Sequence, residues 1–216
     1  MLLYLMRHGE TDWNKAHLWQ GRTDIPLNDN GRKVAELTRE GLKDIHFDYA
    51  FCSPLCRAKE TAEIILADRD VELVVDERVI EMGFGEWEGT DMRIRKDEIA
   101  IYFKHPESYV DEHGVEPFEE MLKRAHSFFD ELIANPKYED STILVATHGA
   151  ALRGLICVLK GNPVEQFWEG GVHKNCGMTV AEIKDGKAKI LRESFIVYDE
   201  AQLEEKPADI QIGTEK

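Results

Sequence analysis

Leu2-Leu3-Tyr4-Leu5-Met6-Arg7-His8-Gly9-Glu10-Thr11 opens the chain with apolar residues that stop abruptly at a cation, an imidazole, a glycine and a carboxylate. A continuous apolar run of strand length, without polar alternation, reads as a strand covered on both faces, as in parallel sheets sandwiched by helices. Working outward from it, similar runs stand at residues 49–52, 72–75 and 142–147. Helical spacing lies between them. Residues 28–45 carry Val34, Leu37, Gly41, Leu42 and Ile45, residues 115–134 are strongly amphipathic, and residues 149–160 form a mostly apolar helix. Ser53 and Pro54 read as the N-cap and first-turn proline of another helix. This alternation predicts an α/β fold, a three-layer α/β/α sandwich with a mostly parallel central sheet. Residues 178–183 and 188–192, joined through Lys184-Asp185-Gly186-Lys187, read as a hairpin at the sheet edge.

At 216 residues and 43% hydrophobic composition, the chain fits one compact domain, residues 1–198, followed by an acidic tail at 199–216 that is expected to be poorly ordered or loosely docked. Residues 90–114 form the least regular stretch and are expected to be an insertion over a site. No run approaches the roughly 20 apolar residues of a membrane helix, and the short apolar start lacks a basic leader, so a cytoplasmic protein is expected. The formal net charge of −15 repels nucleic acid and anionic membrane, so neither is an expected partner. Any anionic ligand needs a local basic pocket. Cys52, Cys56, Cys157 and Cys176 lack C-x-x-C spacing and read as reduced core thiols rather than a disulfide framework or zinc site.

Ligands of open α/β sheets bind beyond the carboxyl ends of the strands. There the strand at 2–6 delivers Arg7 and His8, the strand at 49–52 leads to Arg57, and the strand at 142–147 ends in His148-Gly149. Two guanidiniums and two imidazoles beside helix N-termini suit a phosphate group. A neutral imidazole can take up a phosphoryl group while the cations stabilise charge on its oxygens. The departing oxygen needs a proton, and Glu81, flanked by Ile80 and Met82, is a candidate donor that apolar neighbours would desolvate. Glu86 and Glu88 are its rivals. His105 and His113 either reach the substrate from the insertion or lie at the surface. Trp87, Tyr102, Phe103 and Tyr109 fit an apolar substrate wall or the core. Arg93, Arg95 and Lys96 fit a grip on a second anionic group or solvated charges.

Five motifs in order, L-M-R-H-G-E-T-D-W-N at 5–14, Q-G-R-T-D-I-P-L-N at 20–28, C-S-P-L-C-R-A-K-E-T-A at 52–62, E-M-G-F-G-E-W-E-G at 81–89 and V-A-T-H-G at 145–149, carry a resemblance. The chain resembles the histidine phosphatase superfamily in its phosphoglycerate mutase-like branch. The resemblance implies that His8 is the nucleophile that becomes a phosphohistidine, that Arg7, Arg57 and His148 hold the phosphoryl oxygens, and that Glu81 is the proton donor and later the base. It also implies that Asn14, Gln20, Gly21 and Gly149 line the phosphate pocket, with Thr11 near them, and that neither metal nor cofactor takes part. Mutases of the branch follow the acidic residue with a pattern like R-x-Y-G-x-L-x-G-L-N-K. Phe84, Trp87 and Glu88 here match the phosphatase pattern F-G-x-W-E-G instead. The expected function is hydrolysis of a small phosphorylated metabolite, with a phosphoglycerate mutase or a non-catalytic phospholigand-binding protein as alternatives. The oligomeric state stays open, since Phe167 and Trp168 suit either a homodimer contact or the core.

Overall fold

The computed structural model describes residues 1–203, so most of the acidic tail lies outside the described residues. In chain order the elements are β1 (Leu2–Arg7), α1 (Asp12–Lys15), α2 (Asp29–Gly41), β2 (Tyr49–Cys52), α3 (Cys56–Leu66), β3 (Leu73–Val75), α4 (Lys96–Lys104), α5 (Phe118–Ala134), β4 (Thr142–Thr147), α6 (Gly149–Lys160), β5 (Met178–Lys184) and β6 (Lys187–Phe195). The sheet order is β3-β2-β4-β1-β5-β6. β3, β2, β4 and β1 run parallel, and the β5–β6 hairpin joins β1 antiparallel. The α/β/α sandwich with a mostly parallel sheet is therefore as expected.

Alternating side chains of β1 feed two cores. Leu3 and Leu5 pack on the α5 and α6 side with Phe128, Leu152 and Leu155, while Met6 packs on the α2 and α3 side with Val34, Leu42 and Ile65. A fully buried leucine contributes about 1.5–3 kcal/mol, so this strand anchors both layers. That anchoring holds its carboxyl end, with Arg7 and His8, in a fixed place.

Three helix ends lie two or more residues from the sequence reading, because tertiary partners take up polar groups there. α3 starts at Cys56 with Leu55 as N-cap, not at Ser53-Pro54. The Ser53 hydroxyl is instead engaged with the imidazole of His148 at 2.7 Å. α2 ends at Gly41 rather than continuing to residue 45, because the Arg69 guanidinium bonds the carbonyls of Leu42 and Ile45. A Cβ at Gly41 would stand 2.6 Å from the carbonyl oxygen of Val197. α5 begins at Phe118 rather than residue 115, because the Val115 and Glu116 amides donate to Asp111 and to the carbonyl of Gly83.

The stretch 90–114 contains α4, whose Arg95 N-cap is left-handed at φ 64°, and a short 3-10 turn at Pro106–Ser108. It is thus more regular than its sequence indicates. Of the tail, Glu200–Gln202 form one 3-10 turn, and Glu200 pairs with Lys174 at 2.8 Å. All four cysteines are free thiols, and Cys52, Cys157 and Cys176 are buried. Among the described residues no helix is long and apolar enough to cross a membrane.

Candidate active site

A cleft of about 480 Å³, counting its open mouth, lies at the carboxyl ends of β1, β2 and β4. Arg7, His8, Asn14, Gln20, Gly21, Arg57, Glu81 and Gly149 line its polar end. Eight of the ten residues singled out by sequence therefore face one cavity.

β1 places His8 directly behind its last residue, with only 2% of the side chain's residue surface exposed. The ring Nδ1 lies 2.6 Å from the carbonyl oxygen of Gly9, so Nδ1–H is the donor and Nε2 carries the lone pair. Burial first, then the charges of Arg57 and Arg7, holds the imidazole well below its ordinary pKa of 6.5. The ring is neutral at pH 7. Asn175 Nδ2 donates to the His8 carbonyl at 3.1 Å, and the Cys176 amide donates to the same oxygen at 3.2 Å.

Both guanidiniums are buried and anchored by backbone carbonyls. Arg7 Nη1 donates to His173 O at 2.5 Å. Arg57 Nη1 and Nη2 donate to Thr23 O at 2.9 Å and Gly21 O at 2.7 Å. Desolvation pulls Arg57 down to about 10, still far above neutrality. The Nε atoms of Arg7 and Arg57 and Nδ1 of His148 are buried without hydrogen-bond partners among the described residues. Buried donors of this kind cost about 1–3 kcal/mol each unless something accepts from them. An anion accepting from them would relieve that cost.

His148 is the fully buried N-cap of α6, with its ring 5.2 Å from that of His8. It does not itself line the cleft. Burial and Arg57 hold it neutral, well below 6.5. Its Nε2 meets Ser53 Oγ, which leaves Nδ1 unpartnered.

Glu81 stands over the start of α6. Its Oε1 accepts from the amides of Met82 at 3.0 Å and Ala151 at 2.8 Å, and Oε2 accepts from Ala150 at 3.2 Å. The carboxyl is buried as expected, but its surroundings are hydrogen-bond donors rather than only apolar neighbours. The rivals are otherwise engaged. Glu88 accepts from the amides of Arg22, Thr23 and Phe84, and Glu86 pairs with His113 at the surface.

Thr11 does not line the cleft. Its hydroxyl caps α1 by accepting from the Asn14 amide at 3.1 Å, and it reaches Gln20 Oε1 at 3.0 Å. The side-chain oxygens of Asn14 and Gln20 are thereby held, and both residues line the cavity. Gly21 needs its left-handed φ of 54° and its missing side chain, since a Cβ would fall 2.0 Å from Glu88 Oε1.

Sequence reasoning missed Ser53 as the partner of His148, Asn175, and the carbonyl of His173. Asn175 and His173 sit in a loop with no motif to betray them. Neither His105 nor His113 lines the cleft, because His113 bridges Glu86 and Glu98 and His105 pairs with Glu107. Of the aromatic set, only Phe103 faces the cavity, while Trp87 and Tyr102 are wholly buried core. Among the described residues no three His, Cys, Asp or Glu side chains stand where they could share a metal ion.

Comparison with known proteins identifies the family. The model of the histidine phosphatase superfamily (branch 1) matches residues 3–195. An uncharacterized phosphatase, PhoE, of Bacillus subtilis is 35% identical over 74% of this chain and 78% of its own length. A putative phosphoserine phosphatase 2 of Hydrogenobacter thermophilus is 33% identical over 88% of this chain and 93% of its own. The solved structure of Bacillus stearothermophilus YhfR superposes with a TM-score of 0.82 at 31% identity, covering 90% of this chain and 97% of that one.

Proposed function

The chain belongs to the histidine phosphatase superfamily, branch 1, and from that membership we propose that it hydrolyses a small phosphomonoester through a phosphohistidine, without a metal. The observation that carries the reading is a neutral imidazole with Nε2 free to attack, set among two buried guanidiniums whose Nε donors lack acceptors.

His8 Nε2 attacks phosphorus as the ester P–O bond breaks, and Glu81 gives its proton to the departing alcohol oxygen. Arg7 and Arg57, with Asn14, Gln20 and the backbone at Gly21 and Gly149, hold the phosphoryl oxygens during in-line transfer, and His148 backs them from behind the cleft wall, where its unpartnered Nδ1 is left for an oxygen that reaches it. Glu81, now a carboxylate, takes a proton from water as the water oxygen attacks phosphorus. The N–P bond breaks, and inorganic phosphate and neutral His8 are restored. Thr11 serves this site by orienting Asn14 and Gln20. The mutase alternative calls for a cationic grip on a second anionic group, and Arg22, Arg93 and Arg95 are each held by carboxylates instead. A binding protein has no use for a carboxyl poised beside the nucleophile, which favours an enzyme.

The test is phosphate release from a panel of phosphomonoesters in excess chelator, with wild type and His8→Ala in parallel. Release by wild type alone, with an acid-labile phosphoprotein trapped on rapid quenching, is expected. Equal release by both proteins overturns the phosphohistidine route.

A further inference from the structure

Resting on the phosphatase reading, we propose that the preferred ester carries an uncharged aromatic alcohol, with no second anionic group on its leaving half. The far end of the cleft is apolar. Leu18, Met92, Phe103 and Trp168 line it, with Trp19 and Phe84 behind. Phe103 comes from α4 and Trp168 from the loop after α6, and their ring centroids lie 4.5 Å apart. Phe103 is also stacked on Trp19, at 6.1 Å and 24°. Trp168 turns its one polar atom away from the cavity, since Nε1 donates to the carbonyl of Tyr102 at 3.0 Å. Apolar aromatic surface is what these residues offer to whatever hangs from the phosphoryl group.

The distribution of cations points the same way. Among the described residues that line the cleft, Arg7 and Arg57 are the only cations, and carbonyl anchors hold both at the phosphoryl end. Arg22 donates to Glu81 O and pairs with Glu116. Arg93 grips Asp91, and Arg95 is committed to Glu98 and His113, while the side chain of Lys96 lies outside what is described. A carboxylate or second phosphate on the leaving group would lie against apolar side chains without a counter-charge, losing hydration and gaining nothing. The two imidazoles, neutral through burial, do not supply one.

The test compares esters whose leaving groups are all simple alcohols, so that intrinsic reactivity does not decide the ranking: 2-phenylethyl phosphate, ethyl phosphate, phosphoserine and 3-phosphoglycerate. With the full chain, kcat/KM for 2-phenylethyl phosphate is expected to exceed each of the others by at least about 10-fold, expressed mainly in KM. In Trp168→Ala the ratio of phenylethyl to ethyl phosphate is expected to fall about 10-fold, and Trp168→Phe to restore most of it. His8-dependent turnover that ranks phosphoserine or 3-phosphoglycerate equal to or above 2-phenylethyl phosphate overturns the inference and leaves the phosphatase reading standing. Release from none of the four overturns both. If Trp168→Ala does not fold, the wild-type ranking alone decides.

Discussion

At one end of the cleft Arg7, His8 and Arg57 are each less than 5% exposed, and hydrogen bonds to backbone carbonyls fix all three. At the other end Met92, Phe103 and Trp168 are half-buried, come from two stretches far apart in sequence, and meet by packing alone apart from the indole N–H bond to Tyr102. The first end is built from the terminus of β1 and the first turn of α3, which follows β2, so the sheet sets its position. The second depends on how α4 and the loop after α6 settle against it. Charge chemistry thus sits on the rigid part of the fold, and discrimination between leaving groups sits on the part where substitution changes shape at little cost to the sheet.

The largest break in that contrast comes from His8→Asn, which removes the nucleophile. Its kcat is expected to drop by more than about 10⁴-fold on every ester, measured as phosphate release with the fold checked by circular dichroism. A variant that retains turnover on even one good ester would place the nucleophile elsewhere.

Glu81→Gln sharpens the division between phosphoryl and leaving-group chemistry. On alkyl phosphates the expected loss in kcat is about 10²–10⁴-fold. On p-nitrophenyl phosphate, whose leaving group departs without a proton, the loss in the first step should be much smaller, as a burst of p-nitrophenol in rapid-mixing experiments would reveal. An equal loss of that burst and of alkyl ester turnover argues against the donor role.

Arg57→Lys keeps the charge but gives up the fork that spans Gly21 O and Thr23 O. A decrease of about 10²–10³-fold in kcat/KM is expected, shared by charged and apolar esters because both present the same phosphoryl group. A loss confined to one ester class would move Arg57 to the leaving-group end.

The rigid end also makes the protein acid-sensitive. His8, His148 and His173 all have folded pKa values depressed by burial, His173 to about 3. Their unfolded value is near 6.5, so below it the unfolded chain binds more protons than the folded one. The stability tied to keeping these rings neutral is present in full above about pH 6.5 and is lost as pH falls toward the folded values, at up to about 1.4 kcal/mol per unit for each ring. Urea midpoints measured from pH 7.5 to 5 should fall steeply below 6.5. A flat profile would mean that these rings protonate without unfolding pressure.

The smallest effect is expected from Thr11→Val, which removes a helix cap and the tether on Gln20. A stability loss of about 1 kcal/mol and a several-fold rise in KM are expected, measured by denaturation and steady-state kinetics.

Much of the catalytic end was legible from residue order alone, because a strand terminus places consecutive residues together. Arg7 and His8 follow β1 directly, and His148 and Gly149 follow β4. Ser53-Pro54 misled because capping preference is local, whereas Ser53 is claimed by His148, 95 residues away in sequence. Likewise Thr11 belongs to the site motif yet works as a cap, a distinction that spacing cannot draw.

Apolar runs and their polar stops therefore determined the layered fold, the edge of the sheet that bears the chemistry, and the residue types gathered there, since burial and strand geometry act on neighbours in the chain. Tertiary packing alone decided that Phe103 and Trp168 form the wall of the cleft while Trp87 and Tyr102 fill the core, that Arg22, Arg93 and Arg95 are spent on carboxylates, and that Asn175 steadies the His8 carbonyl. An aromatic ring or a guanidinium carries the same letters whether it faces solvent, core or ligand. Which of these it meets depends on long-range contacts that no local pattern encodes.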